Sequence, residues 1–311
     1  MDYKDIRIVF MGTPAFAVAS LDALCKAGCR VVGVVTAPDK PAGRGMQLQQ
    51  SAVKAYAVEH NLPLLQPEKL RDPQFLAALA SWKADLQVVV AFRMLPEIVW
   101  NAPPMGTINV HGSLLPQYRG AAPVNWAVIN GETQTGVTIF KLQHAIDTGN
   151  VLLQATLPIA PDENAGSVHD RMMQLGAQTL LATIRQLADG SLRETPQPQH
   201  DASLKHAPKI FTETGRINWQ KPVQEVYNLV RGLSPYPTAF TELEGKSLRI
   251  FEAVMEKQPP AVPPGEFITD KKTFLKFAAV DGYLFLKEIQ LQGKKKMPVQ
   301  DFLRGYRFQT N

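Results

Sequence analysis

Cysteine is nearly missing from this chain: Cys25 and Cys29 are the only two in 311 residues. They lie four apart near the end of a helical pattern, so no disulfide framework can be drawn. Both read as packing residues suited to a reducing cytosol. Long apolar runs are missing too, since nothing approaches the roughly 18 consecutive residues that a membrane helix needs. The opening stretch MDYKDIRIVFMG sets charges around a short apolar strand instead of forming a cleavable hydrophobic leader. A soluble, cytoplasmic protein with no membrane partner is expected, acting as a monomer. The first turn, MGTPAFAV, has one glycine followed by a proline. It therefore lacks the G-x-G-x-x-G backbone that lets a dinucleotide pyrophosphate approach, which disfavours NAD; a P-loop is disfavoured as well. No internal repeat or low-complexity tract is evident.

What is present is enough apolar sequence, 45% of the chain, to bury a full core in two globular domains. In the first two thirds, short β-rich runs alternate with helical patterns: IRIVFMG, RVVGVVT, LQVVVAF, GTINVH and GVTIFKL, with helices after the first run and near Ala52 to His60. Several runs are apolar on both faces, as a parallel sheet covered by helices requires. The expected fold class is α/β, a Rossmann-like doubly wound domain over residues 1–189, ending in an amphipathic helix over Ala165 to Leu187. The Pro-, Gln- and Ser-rich residues 190–208 read as a linker. Residues 209–311 begin with a helix striped by Val223, Val226, Val230 and Leu233. They then alternate in and out over SLRIFEAV, TFLKFAAV and YLFLKEIQL, the pattern of a small antiparallel, OB-like β-barrel.

One stretch, GTINVHGSLLPQYRG, carries chemistry. Residues two apart on a strand share a face, so Asn109 and His111 point the same way while Ile108 and Val110 pack the other side. The strand runs directly into a loop stiffened by two prolines, where ligands of open α/β sheets bind. The next strand ends in QHAIDTGNVL, and its loop is expected to bring Asp147 to the same edge of the sheet. A carboxylate there would hold His111 and fix its tautomer, while Asn109 offers an N–H to a developing oxyanion. That set suits acyl transfer without a covalent enzyme intermediate. A zinc site of His111, His144 and Asp147 is the weaker alternative, because an H-x-x-D spacing without a ligand-dense cluster is a poor metal signal.

With these motifs together, the sequence resembles the folate-dependent formyltransferase family. The likeness covers nearly the whole chain: FMGTPAFAV, DKPAGRG, AFRMLP, NVHGSLLPQYRGAAP, IDTGNVL, GLSPYPTAF and LQGKKKM. Gly112 stands where some relatives carry alanine or another small residue. The resemblance implies a formyltransferase domain whose catalytic trio is Asn109, His111 and Asp147. It implies 10-formyltetrahydrofolate as formyl-donor cosubstrate, contacted by Ser113, Leu114, Leu115 and Pro116, with Arg93, Met94 and Leu95 forming the pterin pocket. The folate already activates the formyl group, so no metal is required.

The +5 net charge is unevenly placed: residues 209–311 hold 16 Lys+Arg against 11 Asp+Glu, whereas the preceding residues balance at 17 each. A basic module of this kind suits a polyanion, although a solvated basic face is an equal reading of charge alone. The resemblance points to initiator methionyl-tRNA as the formyl acceptor. Lys40 and Arg44 of the basic loop would reach the acceptor stem, and Lys294, Lys295 and Lys296 would follow its phosphates. A formyltetrahydrofolate hydrolase or a nucleotide-sugar formyltransferase would use the same trio but leave the basic tail unexplained. A non-catalytic RNA-binding protein would have no use for the trio.

Overall fold

The computed structural model describes residues 1–42, 47–198 and 202–308. It divides into two compact units. The first comprises Met1–Arg119, Gly136–Leu157 and Asp170–Lys205; the second comprises Gly120–Thr135, Pro158–His169 and His206–Asn311. Along the chain come β1 (Arg7–Gly12), α1 (Ala15–Lys26), β2 (Arg30–Val35), α2 (Ala52–Glu59), β3 (Leu64–Leu65), α3 (Pro73–Ser81), β4 (Leu86–Val90) and α4 (Glu97–Trp100). These are followed by β5 (Thr107–His111), α5 (Pro123–Ile129), β6 (Gln134–Lys141), β7 (Val151–Pro158) and α6 (Ala165–Asp189).

The strands of the first unit form a seven-stranded sheet in the order β7-β6-β5-β4-β1-β2-β3. From β3 to β5 every pairing is parallel. This explains why β4 is buried at all five positions: helices cover both faces, so neither face can be polar. Local chemistry starts the helices. Ser51 accepts from Lys54 N at the head of α2, and Asp72 accepts from Gln74 N at the head of α3, with Pro73 next in line. Between β1 and α1 the chain turns so tightly that a Cβ on Gly12 would come within 2.6 Å of Ala17 Cβ. The sheet is laid out from β1 to β2 and β3, then resumes on the other side with β4. That reversal leaves a crevice at the carboxyl ends of β1, β2 and β4. Its volume is about 480 Å³, and Thr13, Asp39, Lys40, Glu68, Phe92 and Arg93 are among its lining residues.

The second unit has its own core. After α7 (Val223–Gly232) come β8 (Ala239–Leu243), β9 (Lys246–Glu256), β10 (Phe267–Thr269), β11 (Leu275–Ala278), β12 (Tyr283–Leu291), β13 (Met297–Pro298) and α8 (Val299–Gly305). Val223, Val226, Val230 and Leu233 are all buried against the sheet's inner face, so the stripe read from the sequence is the stripe that packs. Trp219 stacks on Phe277 at 5.0 Å and donates from Nε1 to Thr241 Oγ1 at 2.9 Å. The sheet order is β8-β9-β12-β11-β10, with β13 added to β12. Among the described residues this is a curled, OB-like half-barrel and not a closed one, because no ladder joins β10 to β8. Helix α5 belongs here as well, with Asn125 Nδ2 donating to the Gly232 carbonyl at the end of α7. No helix among the described residues is long and apolar enough to cross a membrane.

The starts of β1 and β4 are joined by an ion pair. Arg7 donates to Asp85 from its backbone N at 2.8 Å and from its guanidinium at 3.0 and 2.6 Å. The guanidinium's hydrogen bonds hold the Asp85 carboxyl below the usual carboxylate range. A carboxyl whose pKa is depressed on folding stabilises the fold above its unfolded value and loses that contribution as pH falls through the depressed one. Asp85→Asn should therefore lower the unfolding temperature at neutral pH, and the gap to wild type should narrow once pH drops below about 4. Thermal melts at several pH values check this.

Candidate active site

Asn109 and His111 lie near the end of β5 on one face, as the pleat demands. Across the ladder they meet Phe140 and Thr138 of β6. This pairing is antiparallel, which corrects one expectation: the chain leaves β6 beside Thr107, at the far end of β5 from His111. The following loop doubles back to bring Asp147 Oδ2 to 3.9 Å from His111 Nδ1, with both side chains largely buried. Two local features permit that path. Asp147 adopts φ +54°, a left-handed conformation that Asp tolerates better than most residues. Gly149 lies so close to the Lys141 carbonyl that a Cβ would sit 1.6 Å from its oxygen.

His111 Nε2 lies 3.0 Å from the Tyr118 carbonyl. A carbonyl only accepts, so Nε2 carries the hydrogen. The loop after β5 thus fixes the hydrogen on Nε2, and Nδ1 is the nitrogen that faces the Asp147 carboxylate. Phe140 meets the imidazole edge-on at 6.2 Å and walls the ring from one side. The Asn109 side chain is half-buried and makes no hydrogen bond among the described residues.

The 113–118 loop is held by two residues that sequence reasoning missed. Thr138 Oγ1 donates to the Ser113 carbonyl at 2.7 Å and accepts from Leu115 N and Gln154 Nε2. Gln154 Nε2 also reaches the Leu115 carbonyl at 2.8 Å. A threonine amid the apolar GVTIFKL, on the strand next to a polar pair, was the available signal. Within the loop, Ser113 is fully buried and spends its hydroxyl on the Gln117 carbonyl, while Leu115 is buried and Leu114 and Pro116 are half-buried.

The other expected residues are spread more widely. Arg93 lines the crevice beyond β4 and is anchored to the Glu68 carbonyl at 2.7 Å and to that of Pro67, with Phe92 beneath its guanidinium. Met94 is 74% exposed, whereas Leu95 is buried in the core cluster of β1 and β4. Lys40 lines the same crevice; Asn109, His111 and Asp147 do not. Asp39 of that crevice is held below the usual carboxylate range by the Lys54 ammonium and the Gln66 amide. Arg44 lies outside the described residues. In the second unit, Lys294, Lys295 and Lys296 are exposed in the turn after β12, and Lys296 pairs with Glu288 at 2.7 Å above the Phe251 ring. His144 lies 3.3 Å from Glu97, away from any metal-like cluster among the described residues.

Replacing Thr138 by valine keeps the shape and strands three hydrogen-bond partners. The expected cost is about 1–3 kcal/mol of stability, read by urea unfolding.

Comparison with known proteins follows the same outline. A methionyl-tRNA formyltransferase of Bacteroides fragilis is 52% identical over 98% of this chain and 97% of its own length. One of Bacteroides thetaiotaomicron is 54% identical over 99% and 98%. Among solved structures, HypX from Aquifex aeolicus in complex with tetrahydrofolic acid superposes with a TM-score of 0.65 at 20% identity, over 98% of this chain and 48% of that one. The sugar 3N-formyl transferase WlaRD, solved with dTDP and 5-N-formyl-THF, has a TM-score of 0.67 at 19% identity, over 93% and 99%; at such identities the likeness is one of fold. The formyl transferase model matches residues 6–184 and that of the formyl transferase C-terminal domain matches residues 209–307, and on these matches the chain belongs to the formyl transferase family.

Proposed function

We propose that this protein transfers the formyl group of 10-formyltetrahydrofolate to the amino group of methionine on initiator methionyl-tRNA, with Asn109, His111 and Asp147 as its catalytic residues. The full-length identity to methionyl-tRNA formyltransferases supports the acceptor. The observation that carries the chemistry is the half-buried Asn109 amide, left without a protein partner beside a buried imidazole–carboxylate pair. An amide that is reachable from solvent and not committed to the protein is available to bind a substrate oxygen.

Folate brings an already activated formyl group. Arg93, Met94 and Leu95 would hold its pterin, and the 113–116 segment would contact it through Leu114, Pro116 and whatever backbone Thr138 leaves unused. Those residues fit an amphipathic ring system: Phe92 supplies an apolar face, and Arg93 a cation anchored from below. The Asn109 N–H donates to the formyl oxygen as negative charge builds there. His111, with an acceptor at each ring nitrogen in the Tyr118 carbonyl and Asp147, is arranged to carry positive charge beside that oxygen in a site that excludes most water. Asp147 takes part in passing the proton released by the attacking amine towards the leaving nitrogen.

In the same reading, residues 1–189 carry the chemistry, 190–208 connect, and 209–311 meet the tRNA. Lys40, Arg44, Lys294, Lys295 and Lys296 supply phosphate contacts, so tRNA affinity falls with salt. Because Lys296 is already paired with Glu288, Lys294 and Lys295 carry more of this contribution than Lys296.

The deciding assay mixes protein, 10-formyltetrahydrofolate and methionyl initiator tRNA, and follows N-formylmethionine and tetrahydrofolate, with uncharged tRNA as control. Product that depends on the charged tRNA is expected; folate turnover without it would point to a hydrolase. Asn109→Ala should lower kcat about 10²–10³-fold, as loss of one oxyanion donor does elsewhere. Lys294→Ala combined with Lys295→Ala should raise KM for tRNA and flatten its salt dependence, leaving KM for folate unchanged.

A further inference from the structure

The stretch after α6 reads as a linker in sequence, yet its first part is bonded to the loop that carries Asp147. Thr195 exchanges two backbone hydrogen bonds with Val151, each 2.8 Å. Glu194 accepts from Asn150 Nδ2 at 2.9 Å and from Lys141 Nζ at 3.2 Å. Gln197 goes furthest inward and is only 9% exposed. Its Nε2 donates to the carbonyls of Asp147 at 3.1 Å and Gly149 at 2.7 Å. Its Oε1 accepts from Arg119 Nε at 3.2 Å and Nη2 at 2.8 Å. Both N–H groups and both lone pairs of the amide are therefore used, the condition under which burying so polar a side chain is tolerated.

The partners lie on opposite sides of one ring. Asp147 faces His111 Nδ1, whereas Arg119 directly follows Tyr118, whose carbonyl binds His111 Nε2. We infer that Gln197 is a positioning residue: its amide ties the loop carrying Asp147 to the loop carrying Tyr118, and so sets the spacing of both acceptors around His111. This rests on the proposed catalytic role of Asp147 and His111. Gln197 touches no reacting atom; it acts by fixing backbone on either side of Thr148, where the left-handed Asp147 leaves the carboxylate's aim dependent on the turn. Misplacing a reacting group by an ångström costs about 10²-fold in rate.

The test is a double-mutant cycle on the full chain, assayed for formyl transfer to methionyl-tRNA. Gln197→Met keeps the length and removes all four hydrogen bonds. Gln197→Glu keeps the two acceptor bonds from Arg119 and turns both donors into acceptors, which serves if Gln197→Met does not fold. Either should lower kcat about 10- to 100-fold with both KM values within about threefold. In an Asp147→Asn background the same substitution should cost clearly less, because the part that acts through that carboxylate is already lost. An unchanged kcat, or an equal loss in both backgrounds, overturns the inference while leaving the trio intact. If Asp147→Asn alone leaves kcat unchanged, the reading of the trio fails and the inference with it.

Discussion

Thr138 Oγ1 stands directly across the β5–β6 ladder from His111, donating to the Ser113 carbonyl and accepting from Leu115 N and Gln154 Nε2. A hydroxyl has one hydrogen and two lone pairs, so these three bonds saturate it. Because it lies inside the sheet, the loop that leaves β5 is pinned to a rigid ladder within a few residues of His111. The loop can therefore return the Tyr118 carbonyl to His111 Nε2 at a fixed distance. The hydrogen on His111 Nε2 and the nitrogen left facing Asp147 follow from that anchoring.

The same economy of buried polar groups runs through the first unit. Gln154 serves Thr138 and the Leu115 carbonyl, Gln197 serves two loops, and Thr107 donates to the Trp100 carbonyl at 2.6 Å. Among buried side-chain atoms of the described residues, Ser20 Oγ alone lacks a partner. Asn109 differs because it is half-buried and its amide is not sealed from solvent. The proposed role of Asn109 draws on this difference: a substrate oxygen would complete its hydrogen bonding.

The second unit divides its labour differently. Its inner face is filled by the α7 stripe and the Trp219–Phe277 stack, and charge is left to the outer face of the strands and to the turns. Turn lysines suit a phosphate backbone, which is recognised by charge more than by exact shape. Lys276 shows that charge count alone misleads here, since its ammonium is 3.8 Å above the Tyr283 ring and 4.8 Å from that of Phe285. It is engaged by its own sheet.

Features that depend on local pattern were legible in the sequence. The alternation that puts Asn109 and His111 on one face, the doubly apolar β4, the α6 helix and the α7 stripe all follow from periodicities of two and 3.6 residues. The family was legible as well, because its motifs are short and contiguous. Tertiary structure alone decided that β6 runs antiparallel to β5, that the Asp147 loop must double back, that the Tyr118 carbonyl fixes the hydrogen on His111 Nε2, and that Gln197 bridges two loops. These contacts join residues far apart in sequence, 78 positions in the case of Arg119 and Gln197. No local period encodes which distant carbonyl a buried amide will meet. That is settled only when the sheet order brings the two strands of chain side by side.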